Sequence, residues 1–346
     1  MRAATPAEVR SWDALVAANP DGGQYLQTRA WGEVKSRWGW QPHHMVHDGA
    51  DSEIAVLFLG RRFPGLGDLW YAPKGPGATS SASLLEIVPW QPAPRGAFAV
   101  KIEPEVTSGG DVVADLSGAG LVKSPGEIQS SRATIIVDLR PDEDRLLASF
   151  KPKTRYNIRL AARSGVIVVD AAPDSVHSNV LYRLLVQTNR RNGIETRRRD
   201  YFFDAWSTLA ASDHGRCFFA VLHGEVLAGA FVTHLAGRGW YKDGGSTRRH
   251  HQLMAPYILQ WEIMRWLRGR GVTSYDLVAV PRPSEMTPEH PFAGLQRFKS
   301  GFNQHVTEYV GAWDWPVKPL GLRAWNAGGE RLARQWSARI YRDFYY

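Results

Sequence analysis

The sequence predicts an α/β (α+β) protein of two tandem domains, each a mixed sheet flanked by helices. An internal repeat is the first reason. HMVHDGADSEIAVLFLGRRFPGLGDLWYAPKGP (44–76) and FFAVLHGEVLAGAFVTHLAGRGWYKDGGS (218–246) share one order. Each has a strand, a turn with glycine, a small-residue strand, a basic turn with glycine, and an aromatic strand ending in glycine. Helical patterns flank each copy, which argues for two similar units and against one large sheet. The third reason is size: 346 residues suffice for two domains with their own cores, and 44% hydrophobic with 22% charged residues are globular values.

Residues 7–17 read as a first helix and 28–38 as a second, preceded by Tyr25-Leu26-Gln27. In the second, Trp31, Val34, Lys35 and Trp38 share a face through their i, i+3, i+4, i+7 spacing. A lysine on such a face either snorkels at the core's edge or forms the floor of an anion site, because a buried unpaired ammonium is costly. Strands follow at 54–60 and 68–71, the latter ending in the rigid turn YAPKGP (71–76). Residues 80–94 form a helix and a Pro-rich loop, 97–103 and 134–139 are strands, and 109–126 is loop-like.

FKPKTRYNIRLAARSGV (150–166) is a helix, since Pro152 suits a first turn and Gly165 a stop. Arg155, Arg159 and Arg163 share one face, while Tyr156, Ile158 and residues 160–162 offer packing surface. Helices at 175–192 and 200–211 precede the second meander and one at 252–268 follows it. Residues 274–278, 291–300 and 306–313 complete the second copy. The tail, 321–346, is an amphipathic basic-aromatic helix that packs back on a domain, with a membrane surface as its alternative partner.

Charge and motifs narrow the function. Lys and Arg number 42 against 34 Asp and Glu, a net charge of +8, and no acidic residue lies between Asp144 and Asp170. Clustered basicity suits nucleic acid, a phosphorylated substrate or an anionic membrane. The single cysteine, Cys217, excludes an intrachain disulfide and a cysteine-based metal site, and it reads as a strand core residue in a reducing cytosol. The opening MRAATPAEVRSWDAL lacks the apolar core of a signal peptide, and the apolar runs are too short to span a membrane. No G-x-x-x-x-G-K-[ST], H-E-x-x-H or G-x-S-x-G is present, so amide chemistry would need a substrate that arrives activated. RFPGLG (62–67) fits an acyl-CoA loop but leads into a strand instead of a helix, and the match is accidental.

Eight blocks then occur in order: QTRAWGEVKSRWGW (27–40), YAPKGP (71–76), IQSSRATIIVDL (128–139), FKPKTRYNIRLAARSGV (150–166), TNRRNGIETRRRDYF (188–202), WYKDGGS (240–246), APYILQWEIMRWLRGRGVTSYD (255–276) and FKSGFNQHVTEYVGAWD (298–314). Together they resemble the FemABX family, aminoacyl-tRNA-dependent peptidyltransferases that build peptidoglycan cross-bridges. The heptad-rich arm of the staphylococcal members is missing. The resemblance implies two acetyltransferase-like (GNAT-like) domains, which we place at 1–147, with 317–346 packing back on it, and at 148–316. It implies transfer of Gly, Ala or Ser from aminoacyl-tRNA to the stem-peptide amine of a UDP-MurNAc-pentapeptide or a lipid-linked muropeptide. Aminoacyl-tRNA is then a co-substrate, with no cofactor. The protein would be a cytoplasmic monomer that reaches the inner face of the membrane.

By the same resemblance, Lys35 and Arg197 match the cations that clamp the precursor's phosphates, with Trp38 and Tyr201 beside them. Tyr241 matches an aromatic near the peptide stem, and Lys299, next to Phe298, the lysine at the reacting ester. Lys151, Lys153, Arg155 and Arg159 form a basic face suited to a tRNA acceptor stem. A lysine-type acceptor amine has a pKa of about 10.4 and must lose a proton, while a cationic Lys299 would stabilise the oxyanion. Glu262 and Asp276 are candidate bases that packing and helix-end pairing explain equally well. The rivals are the same chemistry on a small-molecule amine such as a peptide-antibiotic intermediate, an acyl-CoA N-acetyltransferase, and a non-catalytic RNA-binding protein.

Overall fold

A computed structural model describes residues 1–49, 53–129, 132–287, 290–340 and 344–346. Ser130 and Ser131 of the third block, 50–52 of the first repeat and 341–343 of the expected tail helix lie outside the described residues. The chain divides into two compact units, Met1–Arg132 with Glu308–Tyr346, and Ala133–Thr307.

Among the described residues, the first unit's sheet runs Arg2–Ala3, Gln41–Asp48, Glu53–Phe63, Gly67–Ala72, Ala97–Ile102, Trp313–Trp315, Val122–Lys123. Its one parallel junction is Gly67–Ala72 against Ala97–Ile102. The second sheet runs Ile136–Asp138, Ser274–Asp276, Arg238–Ser246, Glu225–Leu235, Gly215–Leu222, Ile167–Ala171, with Arg238–Ser246 parallel to Ser274–Asp276. The repeat is therefore one of topology. Each copy is an antiparallel three-strand meander whose last strand leads through a helix, Ser81–Ile87 or Ala255–Gly269, to a parallel neighbour. A parallel neighbour requires such a crossover. The mixed α/β class predicted from the sequence is the one observed.

The cores follow from the strand composition. Residues 54–59 are buried without alternation, as in a strand covered on both faces. Cys217 is likewise buried in its strand, and burial pushes its thiol up to about 12, so it is a packing residue. Two motif residues are scaffold as well. The Gln27 amide accepts from Leu57 N and donates to Pro73 O, both at 2.8 Å. A Cβ at Gly75 would lie 2.8 Å from that amide nitrogen, so the YAPKGP turn needs glycine there.

Several sequence expectations are corrected. The 109–126 stretch holds a helix, Val112–Gly118, and a short strand, Val122–Lys123; its flanking glycines mask a helix that buries only Leu116. The unit boundaries fall at 132/133 and 307/308, not at 147/148 and 316/317. Ile136–Asp138 pairs with Ser274–Asp276, and Leu146 and Val137 belong to the second core. Residues 306–313 do not complete the second copy, because Trp313–Trp315 pairs with Ala97–Ile102 and Trp313 lies in the first core. The tail is not one helix: Pro319–Ala324 passes through an irregular Trp325–Gly329 turn into Glu330–Ile340. Trp325 packs on Phe63 and Phe98 with centroids 4.5 and 5.6 Å apart, fastening the tail to the first sheet. Among the described residues, no helix is long and apolar enough to cross a membrane.

Lys101 and Asp314 are cross-strand partners in the first sheet, with Nζ 2.9 Å from Oδ1 and both side chains fully buried. Lys101 also donates to the Ser124 hydroxyl. Removing one partner strands the other charge, so Asp314→Ala should cost about 3–5 kcal/mol in urea unfolding. Joint replacement, Lys101→Met with Asp314→Leu, should cost far less. An Asp314→Ala loss below about 1 kcal/mol would contradict this account.

Candidate functional site

In the second unit, Lys299 ends the helix Ala293–Lys299 and is only 4% exposed. Its Nζ donates to the carbonyls of Val278 at 2.6 Å and Ala279 at 3.0 Å. The Tyr241 ring centroid lies 6.0 Å away, and burial pushes the Tyr241 hydroxyl upward. Burial pushes Lys299 down to about 7, opposed by the charge of Asp276. At neutral pH both forms of this amine are populated, so it can exchange protons as well as stabilise negative charge.

The scaffold around it is closely packed. Phe298 packs against Tyr257 and Phe302, and Phe302 against Phe150. Lys151 N donates to Gly301 O at 2.9 Å, and a Cβ on Gly301 would lie 2.2 Å from Thr154 Oγ1. The start of the basic helix Pro152–Arg163 thus presses directly on the turn after Lys299. Val278 and Ala279, which hold the amine, have φ of +55° and +36°. For non-glycine residues this costs roughly 1–3 kcal/mol each, most clearly for a β-branched valine.

The other predicted residues of this unit fall into two groups. The Arg197 guanidinium stacks 3.5 Å over the centroid of the buried Tyr201 ring, and its carbonyl accepts from Tyr182 OH at 3.0 Å. On the basic helix, Lys153 and Arg159 are exposed, and Lys151 reaches Ser300 Oγ at 3.4 Å. Arg155 donates to the carbonyls of Ala148 and Phe150, so one of its duties is to close the preceding helix, Glu143–Ser149. Glu262 forms a surface pair with Arg265 at 3.0 Å, whereas Asp276 is 6% exposed and faces Lys299's holding turn.

In the first unit, Lys35 lies on the helix Arg29–Arg37, whose N-cap Thr28 accepts from Trp31 N. Lys35 is 0% exposed, which excludes snorkelling. Its Nζ sits 3.3 Å from the Tyr346 ring centroid and 5.1 Å from that of Trp31. Tyr346 OH accepts from Trp31 Nε1 at 3.2 Å, and its ring meets Trp40 and Tyr71 edge-on. Tyr345 O accepts from Trp40 Nε1 at 3.2 Å and from Arg61. Arg61 also lines an open cavity of about 540 Å³ with His43, Arg62, Trp70 and Arg95. Trp38 is half-buried at the helix end. Sequence reasoning missed Trp40, Tyr71 and Tyr346; only the aromatic richness of the 27–40 block and of the tail pointed their way.

A pair of such units, each a meander extended by one parallel strand, defines a mixed α/β fold, with a buried lysine in the second unit. The same fold is found in the crystal structure of FemX, with TM-score 0.79, 20% identity and coverage of 92% of this chain and 98% of that one. It is more distantly seen in L-PGS from Bacillus licheniformis, with TM-score 0.52, 13% identity and coverage of 94% and 97%. The sequence pattern of the FemAB family matches residues 119–213 and 222–327, over half of the chain, and the chain belongs to that family. Its relatives include Lipid II:glycine glycyltransferase of Staphylococcus aureus (strain MRSA252), 22% identical over 89% of this chain and 91% of that protein. The Staphylococcus saprophyticus protein of the same name is also 22% identical, over 88% and 90%.

Proposed function

We propose that the protein is an aminoacyltransferase of peptidoglycan bridge synthesis, moving an amino acid from aminoacyl-tRNA to the stem-peptide amine of a lipid-linked muropeptide. The observation that carries this reading is Lys299, buried beside Tyr241 and poised near neutrality, in a chain that matches glycyltransferases named for lipid II along most of its length. Glycine is the first donor to test, with alanine and serine next.

The reaction needs no redox step. The acceptor nitrogen attacks the ester carbonyl, a C–N bond forms, and the tetrahedral intermediate collapses by breaking the C–O bond to the tRNA ribose. Lys299 as a neutral amine takes the proton from the attacking nitrogen; as an ammonium it steadies the oxyanion and returns the proton to the departing ribose oxygen. The ester arrives activated, so this scheme calls on no cofactor. In this reading Lys35 and Arg197 hold phosphates of the acceptor, and Lys151, Lys153, Arg155 and Arg159 track the tRNA backbone, with Arg155 contributing least because of its backbone bonds. Leu332 and Trp336, exposed one turn apart among arginines on Glu330–Ile340, supply the contact with a membrane surface.

The test mixes purified protein, bulk tRNA charged with labelled glycine, alanine or serine, and lipid-linked or UDP-linked muropeptide. Label should move to the acceptor, and ribonuclease or Lys299→Ala should each stop it. Ester consumption without label on any muropeptide would reassign the acceptor to a small-molecule amine. Transfer that survives ribonuclease would reject the tRNA donor.

A further inference from the structure

We propose that Asp276 is a positioning residue: it locks a two-residue bulge, Val278–Ala279, whose carbonyls orient the Lys299 amine. This rests on Lys299 acting at the reacting ester.

The bulge lies between two regular backbone bonds. Leu277 N donates to Ile135 O at 2.9 Å and Val280 N to Ala133 O at 3.0 Å, and both side chains are buried. The residues between them cannot continue the pairing and turn out through left-handed backbone. Asp276 holds them there. Its Oδ1 accepts from Val278 N at 2.6 Å and from the Thr134 hydroxyl on the neighbouring segment. Glycine would adopt this backbone without strain but would leave the turn loose. Valine and alanine accept strain, and the aspartate supplies the compensating bonds.

The consequence for Lys299 is directional. A neutral amine has two N–H bonds and one lone pair. The two carbonyls take both N–H bonds, so the lone pair is left pointing along a single direction away from them. In the ammonium, the third N–H occupies that same direction. Proton uptake and proton release therefore share one line, which a flexible lysine would not provide. Among the described residues, Asp276 and Tyr241 are titratable side chains that face the amine, and the aspartate's charge raises its proton affinity against burial.

The experiment compares Asp276→Asn, which keeps an acceptor for Val278 N but loses the charge, with Asp276→Ala, which loses both. Lys299 is titrated by NMR on protein carrying ¹³C at lysine Cε, and transfer is measured across pH. Asp276→Asn should move the Lys299 midpoint below about 7, a roughly tenfold loss of proton affinity, and carry the acid limb of the rate profile with it. Asp276→Ala should lower kcat about tenfold or more, with KM for the muropeptide changed less than about twofold. Unchanged titration, profile and kcat in folded variants would overturn the proposal. Should Asp276→Ala fail to fold, Thr134→Val, which keeps the charge but removes one of the carboxylate's bonds, decides it through kcat: a lowered kcat at unchanged KM supports the lock, and an unchanged kcat overturns it. Lys299→Ala runs in parallel: an active Lys299→Ala removes the reading of Lys299 itself, whereas an inactive one beside a wild-type-like Asp276→Ala removes only the positioning role.

Discussion

Lys299→Met should sharply reduce transfer and, relative to the wild type, gain stability as the pH falls from about 10.5 towards 7. The folded lysine titrates near 7, while in the unfolded chain it titrates at about 10.4. Between those values the unfolded chain binds more protons, so wild-type stability rises with pH across that window. Below about 7 both states are protonated and the full cost of burying the ammonium is present. Methionine carries no such cost, so the difference between the proteins should widen on acidification and level off below pH 7. Urea unfolding at several pH values reads this trend directly. A flat difference would mean that Lys299 stays charged in the folded protein, and its role would then be limited to holding an oxyanion. Transfer itself should fall at least about a hundredfold, the usual contribution of a positioned acid–base group. On the proposed function, the residue assigned to the reaction is thus one the fold tolerates poorly at physiological pH, as is common where a site keeps an ionisable group away from water.

What the sequence made legible depended on range. The meander repeat was readable because each strand, turn and glycine is a local signal, and the topology repeats with it. The i, i+3, i+4, i+7 face of the 28–38 helix correctly placed Lys35 among aromatics, yet it gave no hint that Tyr346 would cover it from far along the chain. Residues 306–313 looked like the end of the second copy, because nothing local says that Trp313 pairs with Ile102, or Asp314 with Lys101, in the first sheet. Sequence alone singled out no base, and left Asp276, in SYD, a candidate beside Glu262. The contacts of Asp276 are with Val278 N and Thr134, so geometry recasts it as a strut. Lys299 itself was found by resemblance; its lowered proton affinity comes from its burial, which no residue pattern announces.

Tyr346→Ala should lower KM for the phosphorylated acceptor about tenfold, and Lys35→Met should raise it whether or not Tyr346 is present. A lysine with no exposed surface cannot touch a phosphate, so binding at Lys35 requires the Tyr345–Tyr346 segment to withdraw. Withdrawal breaks the cation–π contact at 3.3 Å and the bonds from Trp31 to Tyr346 OH and from Trp40 to Tyr345 O. A desolvated cation–π contact alone contributes about 2 kcal/mol, and that amount is subtracted from the acceptor's affinity because only the open form binds. Removing the Tyr346 ring relieves this penalty, which is why a deletion of contacts should improve binding. An amine-reactive label offers a check independent of activity: Lys35 should react slowly in the wild type and much faster in Tyr346→Ala. Equal labelling rates would show that another element covers the lysine. Fast labelling of Tyr346→Ala with unchanged KM would instead show that the tyrosine covers a lysine the acceptor never meets, and would leave Arg197 as the remaining candidate for the phosphates.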